Sequence, residues 1–181
     1  MDEKEGLALM ESMVANKNLR KHMIATQACM RRLAQHFGED EELWGLTGLI
    51  HDLDYDQTAQ NPAQHGLLAA EMLKTKGVPE KIIYAVKAHN SHVPLQSRLD
   101  KALYAVDPLT GLIVAATLMH PTKKLANVTP EFVMRRFNEK RFAAGANREQ
   151  IATCTQLGLT LEEFIKLSLE AMQGVAEKLG L

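Results

Sequence analysis

Apolar side chains recur along this chain at three- and four-residue intervals and strict alternation is nearly absent, so almost every periodic segment predicts an α-helix. Between residues 17 and 37 the stripe is Leu19, Met23, Met30, Leu33 and Phe37, with Gly38 placed as a C-terminal stop. A second helix is expected from about Glu41 to Leu53, its start (Glu39, Asp40, Glu41, Glu42) matched to the positive end of the helix dipole. Asp54 to Gln60 carries no period and reads as a loop. Asn61-Pro62-Ala63-Gln64 supplies an N-cap, a proline at the first helical position and a glutamine three residues on, predicting a helix to about Lys76 that Gly77 ends. Val78-Pro79-Glu80 opens another to about His89, and Asn90 to Pro94 forms a connection. A long apolar helix follows from about Arg98 to Leu118, with a kink expected at Pro108 and Gly111. Beyond His120-Pro121, Thr129-Pro130-Glu131 starts a short helix, and Thr160-x-x-Glu163 forms a capping box ahead of the last, which carries Leu161, Phe164, Ile165, Leu169, Met172 and Val175.

The pattern implies an all-α protein, a single helical bundle over residues 1–120 with a helical extension, residues 121–181, packed on it. Composition agrees: 181 residues with 46% hydrophobic and 24% charged side chains can bury one sizeable core without staples. Lys and Arg number 21 against 22 Asp and Glu, a net charge of -1, which argues against a protein that coats polyanions by bulk positive charge. The basic pairs Arg31-Arg32, Lys123-Lys124 and Arg135-Arg136 have no interleaved aromatics and read as solvated helix faces, so no nucleic-acid polymer is expected as partner. Cys29 and Cys154 stand too far apart in sequence for a metal-binding pair and suggest a reducing compartment. The start, Met1-Asp2-Glu3-Lys4-Glu5, has no apolar targeting segment, and the most apolar stretch, Ala102 to Met119, is broken by Asp107 and Pro108. A cytoplasmic protein without membrane association is the expectation.

Candidate chemistry comes from ionisable groups at or beside the apolar stripes. His22 lies three residues after Leu19, His51 and Asp52 follow Leu43 and Trp44 by eight, and His65 begins a stripe with Leu68, Ala69 and Met72. His89 follows Ile82 and Val86, and Asp107 follows Leu99 and Leu103. Buried carboxylates and imidazoles need partners. A divalent transition metal (Zn, Fe, Mn or Ni) would satisfy all of them together, as in other helical bundles with inward ligands.

His22, the pair His51-Asp52, His65, His89 and Asp107 in Tyr104-Ala105-Val106-Asp107 resemble the H…HD…H…H…D signature of the HD-domain superfamily. Those proteins are all-α, metal-dependent phosphohydrolases, and the resemblance covers about residues 18–118. It implies that His22, His51, Asp52 and Asp107 hold one ion and His65 and His89 a second, with Asp52 bridging as the catalytic carboxylate. No Gly-Tyr-Pro element follows the His-Asp pair and no lysine stands close behind it, which argues against cyclic-dinucleotide hydrolysis. The pattern is more similar to small bacterial HD hydrolases of nucleotides.

Two divalent ions less two carboxylate charges leave about +2, a natural seat for a phosphate. Hydrolysis of a small phosphomonoester or phosphodiester by a metal-activated water is therefore the expected function. An HD-type di-iron oxygenase and a non-catalytic signalling module with a structural metal are the alternatives. Substrate contacts are sought among Asp54 and Tyr55, which follow the His-Asp pair, and His92, Lys87, Arg98 and Lys101 around the later ligands.

Overall fold

Capping chemistry sets where most helices begin. Asp2 closes a capping box with Glu5 at the start of α1 (Glu3–Met13), a helix the apolar periodicity did not announce. Asn16 caps α2 (Lys17–Phe37), which ends where Gly38 turns left-handed at φ 67°. Asp40 caps α3 (Glu41–Ile50). The computed structural model describes all 181 residues. It continues with α4 (Tyr55–Thr58), α5 (Leu67–Thr75), α6 (Glu80–His89), α7 (Arg98–Met119), α8 (Pro130–Asn138), α9 (Arg148–Ala152), α10 (Leu161–Gln173) and α11 (Ala176–Leu179), and has no strand.

Three differences from the sequence pattern fall together between Ile50 and Leu67. The second helix stops at Ile50 rather than Leu53, and Tyr55–Thr58 is a helical turn where a loop was expected. The helix expected from Asn61 to Lys76 is broken into a 3-10 turn (Pro62–Gln64) and α5. Between them Gly66 sits at φ 84°, and a Cβ there would lie 2.9 Å from the Val86 carbonyl oxygen, so two independent constraints demand glycine. The Asp54 carboxylate accepts from the Gly66 and Ala69 amides at 2.8 and 2.9 Å, doing for α5 what a local cap would otherwise do. A hydrogen bond spanning twelve residues outweighs the local Pro-Ala-Gln signal.

Packing divides the interior into two apolar clusters. One joins α2 and α7 to the C-terminal helices through residues such as Cys29, Leu33, Leu103, Leu109, Phe164 and Ile165. The other joins α1, the start of α2, α3, α5 and α6 through Met10, Met23, Leu49, Ile50, Leu73 and Val86. Burial of each large side chain contributes roughly 1.5–3 kcal/mol. Helices α2 and α3 approach unusually closely, because a Cβ on Gly48 would stand 2.8 Å from the Thr26 carbonyl oxygen. That approach brings the end of α3 against the first half of α2.

Helix α7 gives its buried apolar residues, from Leu99 to Ala116, to the first cluster. Its length and mean hydropathy would suit a membrane span, yet 56% of its most apolar window is buried within the bundle. It runs antiparallel to α2, since Arg98 at its start meets Glu39 just past the end of α2 while Thr110 meets His22. Pro108 stands inside it and removes the amide that would bond the Tyr104 carbonyl. The Gln150 side chain donates to that orphan carbonyl at 2.8 Å, so α9 repairs the helix one turn from Asp107.

Candidate metal centre

Each of six side chains reaches the junction of the two clusters from a different local setting. His51 caps the C-terminus of α3 and His89 is the last residue of α6. The final carbonyls of a helix lack intrahelical donors, and both imidazoles use one: His51 Nδ1 donates to Gly48 O and His89 Nδ1 to Val86 O, each three residues back. His22 Nδ1 donates to Thr110 Oγ1 at 2.9 Å, whose own hydroxyl donates to the Asp107 carbonyl. His65 Nδ1 donates to Asp54 Oδ1 at 2.8 Å. With all four Nδ1 atoms committed as donors, every Nε2 is the atom left to take a proton or a metal ion.

Those Nε2 atoms converge. His22 Nε2 is 3.3 Å from His51 Nε2 and 3.1 Å from Asp107 Oδ1. Asp52 Oδ1 lies 3.3 Å from His51 Nε2, 3.2 Å from His65 Nε2 and 3.3 Å from His89 Nε2. His65 and His89 Nε2 are 3.1 Å apart. The donors form two groups, His22, His51, Asp52 and Asp107, and Asp52, His65 and His89, with Asp52 common to both. Asp52 Oδ1 is buried without any hydrogen-bond partner. An anionic oxygen facing three Nε2 atoms is repelled unless positive charge, as protons or a metal ion, lies between them. Ligands at about 2.1 Å from one ion sit roughly 3.0–3.4 Å from each other, which is the spacing seen here. The residues therefore fit divalent cations, and the set of imidazole nitrogens and carboxylates suits a transition metal.

Electrostatics agree. Burial alone would lower the basicity of His22, but Asp107 and Asp52 outweigh it and raise its pKa to about 9. Burial likewise opposes a charged His65, while Asp52 and Asp54 carry it to about 9. His51 is raised well above its ordinary value despite burial, by Asp52 and Asp107. Burial would raise Asp52 and Asp107, yet the surrounding imidazoles hold both well below the usual carboxylate range. Protons are thus attracted to the same Nε2 positions as a cation. Metal entry has to displace them, so affinity rises with pH up to about 9, where His22 and His65 lose their protons.

The substrate contacts expected from sequence fare differently. Tyr55 is 46% exposed and meets the His65 ring edge-on, with centroids 5.2 Å apart, at the margin of the cluster. Asp54 is fully buried and spends both oxygens on His65, Gly66 and Ala69, so it positions a ligand residue rather than facing solvent. His92 Nε2 donates to the His65 carbonyl at 2.7 Å and pins its backbone. Arg98 pairs with Glu39 and lies over Phe37, at the end of α2 remote from His22, about 22 Å along the helix by its rise. Lys87 lies two positions before His89, on the opposite side of α6, and Lys101 shares the Tyr104 and Pro108 face of α7 rather than that of Asp107. Helix phase keeps these three cations from the cluster. Sequence reasoning passed over Thr110, although its place three residues after Asp107 on the same helix was a usable signal.

The sequence model of the HD domain matches residues 19–120. Ribonuclease Y of Desulfotalea psychrophila is 25% identical over 168 residues, 90% of this chain and 32% of that protein. Ribonuclease Y of Sulfurovum sp. is 24% identical over 165 residues, again 90% of this chain and 32% of the relative. The chain thus spans about a third of the length of the curated relatives it matches. No solved structure matches it.

Proposed function

The chain belongs to the HD-domain family, and from that premise we propose that it hydrolyses phosphoesters with divalent cations held by His22, His51, Asp52, Asp107, His65 and His89. The observation that carries the reading is the orphaned Asp52 Oδ1 among three inward Nε2 atoms. Bound divalent cations supply positive charge against phosphoryl oxygens and acidify water enough to make it a nucleophile near neutral pH. In the overall reaction water adds to phosphorus, the ester P–O bond breaks, and the leaving oxygen takes a proton. The chain contributes rigidity: four imidazoles already fixed through Nδ1 need no reorganisation when substrate arrives. His51, His89 and Asp52 seal the floor, while the more accessible His22, Asp107 and His65 mark the open side.

A small, nucleotide-like ester remains the proposed substrate class. The relatives' name, Ribonuclease Y, favours an RNA phosphodiester as a second reading. The test is a panel of phosphomonoesters, phosphodiesters and a short oligoribonucleotide, run with Mn²⁺, Fe²⁺, Zn²⁺ and Ni²⁺, in air and anaerobically. Hydrolysis that requires metal and is indifferent to oxygen is expected. Turnover that needs oxygen would establish the oxygenase alternative instead, and metal-loaded protein inert toward the whole panel would leave only a signalling module.

A further inference from the structure

The two most exposed large apolar side chains of the molecule are adjacent, Leu118 at 52% and Met119 at 61%, and they close α7. A single exposed leucine is ordinary on a protein surface, but a contiguous pair rimmed by charge of one sign marks a contact surface. The rim here is basic. Residues 121–148 hold seven Lys and Arg against two Glu, a surplus of five positive charges in a chain whose net charge is -1. The rest of the molecule is therefore acidic, and positive charge is gathered in the segment that follows the apolar pair.

His120, the next residue, ties these parts together. The Thr122 amide donates to His120 Nδ1 at 3.3 Å, and the Thr122 hydroxyl oxygen accepts from the Lys124 amide at 3.3 Å and from Asn127 Nδ2 at 3.0 Å. This turn holds Lys123 left-handed at φ 52° and leaves Lys123 and Lys124 exposed beside the end of α7. The His120 ring also meets Phe132 edge-on, with centroids 5.1 Å apart, which brings α8 alongside. The guanidinium groups of Arg135 and Arg136 lie over that same Phe132 ring at 5.6 and 5.1 Å. Glu139 pairs with Arg136 at 2.9 Å, and Glu131, in the first turn of α8, is the other acid of the segment. Against it stand Lys123, Lys124 and Arg135, all exposed.

We propose that the end of α7 and the neighbouring part of α8 dock on an anionic lipid bilayer, with Leu118 and Met119 entering the boundary between headgroups and acyl chains while Lys123, Lys124 and Arg135 meet lipid phosphates. Contact of this kind is made from outside the bilayer and needs neither a spanning helix nor a targeting segment. A nucleic acid matches the positive charge but not the apolar pair, since bases stack on flat rings and the Phe132 ring is already occupied by two guanidinium groups. A lipid surface offers both phosphate and hydrocarbon. Met119 is twelve residues beyond Asp107, about 18 Å along α7 by its rise, so the surface is separate from the metal centre and does not depend on the hydrolytic reading.

The test is co-sedimentation of the full chain with vesicles of phosphatidylcholine alone and of phosphatidylcholine mixed with phosphatidylglycerol, alongside gel retardation of a short oligoribonucleotide. Wild type should partition onto the mixed vesicles, less so as salt rises, and stay in solution with phosphatidylcholine alone. Each basic side chain at an anionic surface strengthens binding about fivefold, so Lys123→Gln with Lys124→Gln should lower the partition coefficient by about tenfold or more. Leu118→Ser with Met119→Ser, both at exposed positions, should also lower it by about tenfold or more, with circular dichroism unchanged. Wild type that ignores the mixed vesicles would overturn the proposal. So would undiminished partition of the Leu118→Ser/Met119→Ser variant, because charge attraction alone would then suffice. Oligoribonucleotide binding that Lys123→Gln/Lys124→Gln abolishes and Leu118→Ser/Met119→Ser leaves intact, with no partition onto vesicles, would assign the surface to nucleic acid instead.

Discussion

Asp52→Asn is expected to yield a folded protein that retains no divalent metal and turns over no phosphoester. Asp52 is the one residue common to both donor groups, so its charge is lost from both at once. The substitution is isosteric, and its oxygen or amide would face the same Nε2 atoms that now surround Oδ1 at 3.2–3.3 Å. Removing the carboxylate also removes one of the two that raise the basicity of each of His22, His51 and His65, so those imidazoles shift toward neutrality and the metal-free fold survives. Loss of a group that merely supports a ligand costs about 10–100-fold in metal affinity or activity; loss of this shared ligand should exceed about 1000-fold. Circular dichroism, metal analysis and turnover on one preparation decide it. A variant that keeps its helices, its metal and its rate would show that the cluster's anionic centre lies elsewhere.

Asp54→Ala should be the most destabilising substitution around the site. The side chain is fully buried and accepts from His65 Nδ1 and the Gly66 and Ala69 amides, and none of these donors has solvent to turn to. Leaving buried donors without a charged acceptor costs about 3 kcal/mol or more, measured by urea unfolding of metal-free protein. The functional effect should be selective. His65 loses the partner that fixes its tautomer, so the group of Asp52, His65 and His89 should bind metal more weakly while that of His22 does not change. Unfolding that matches wild type, or equal weakening of both groups, would remove Asp54 from this role.

Much of the frame was legible in the residue pattern because it depends on local rules. Gly38 ends α2 and the Thr160–Glu163 box starts α10, each within a few residues of the signal that announces it. The convergence of His22, His51, Asp52, His65, His89 and Asp107 was also legible, since an ionisable group on an apolar stripe implies a partner. What stayed hidden depends on contacts distant in sequence. Asp54 breaks the expected helix at His65 and Gly66 through hydrogen bonds across eleven to fifteen residues. Gln150, forty-six residues from Tyr104, repairs the helix around Pro108 and ties residues 121–181 to the helix that carries Asp107. Neither partnership leaves a periodic trace. Arg98, Lys87 and Lys101 were sought by their nearness in sequence to ligand residues, which says nothing about helix phase, and they stand off the helix faces that carry His89 and Asp107.

The most direct test of the account is anomalous diffraction from crystals of this protein grown with Mn²⁺. One peak is expected among His22, His51, Asp52 and Asp107 and a second among Asp52, His65 and His89, both weakening in crystals equilibrated at lower pH. Density for manganese only elsewhere on the surface, with none inside the cluster, would contradict it.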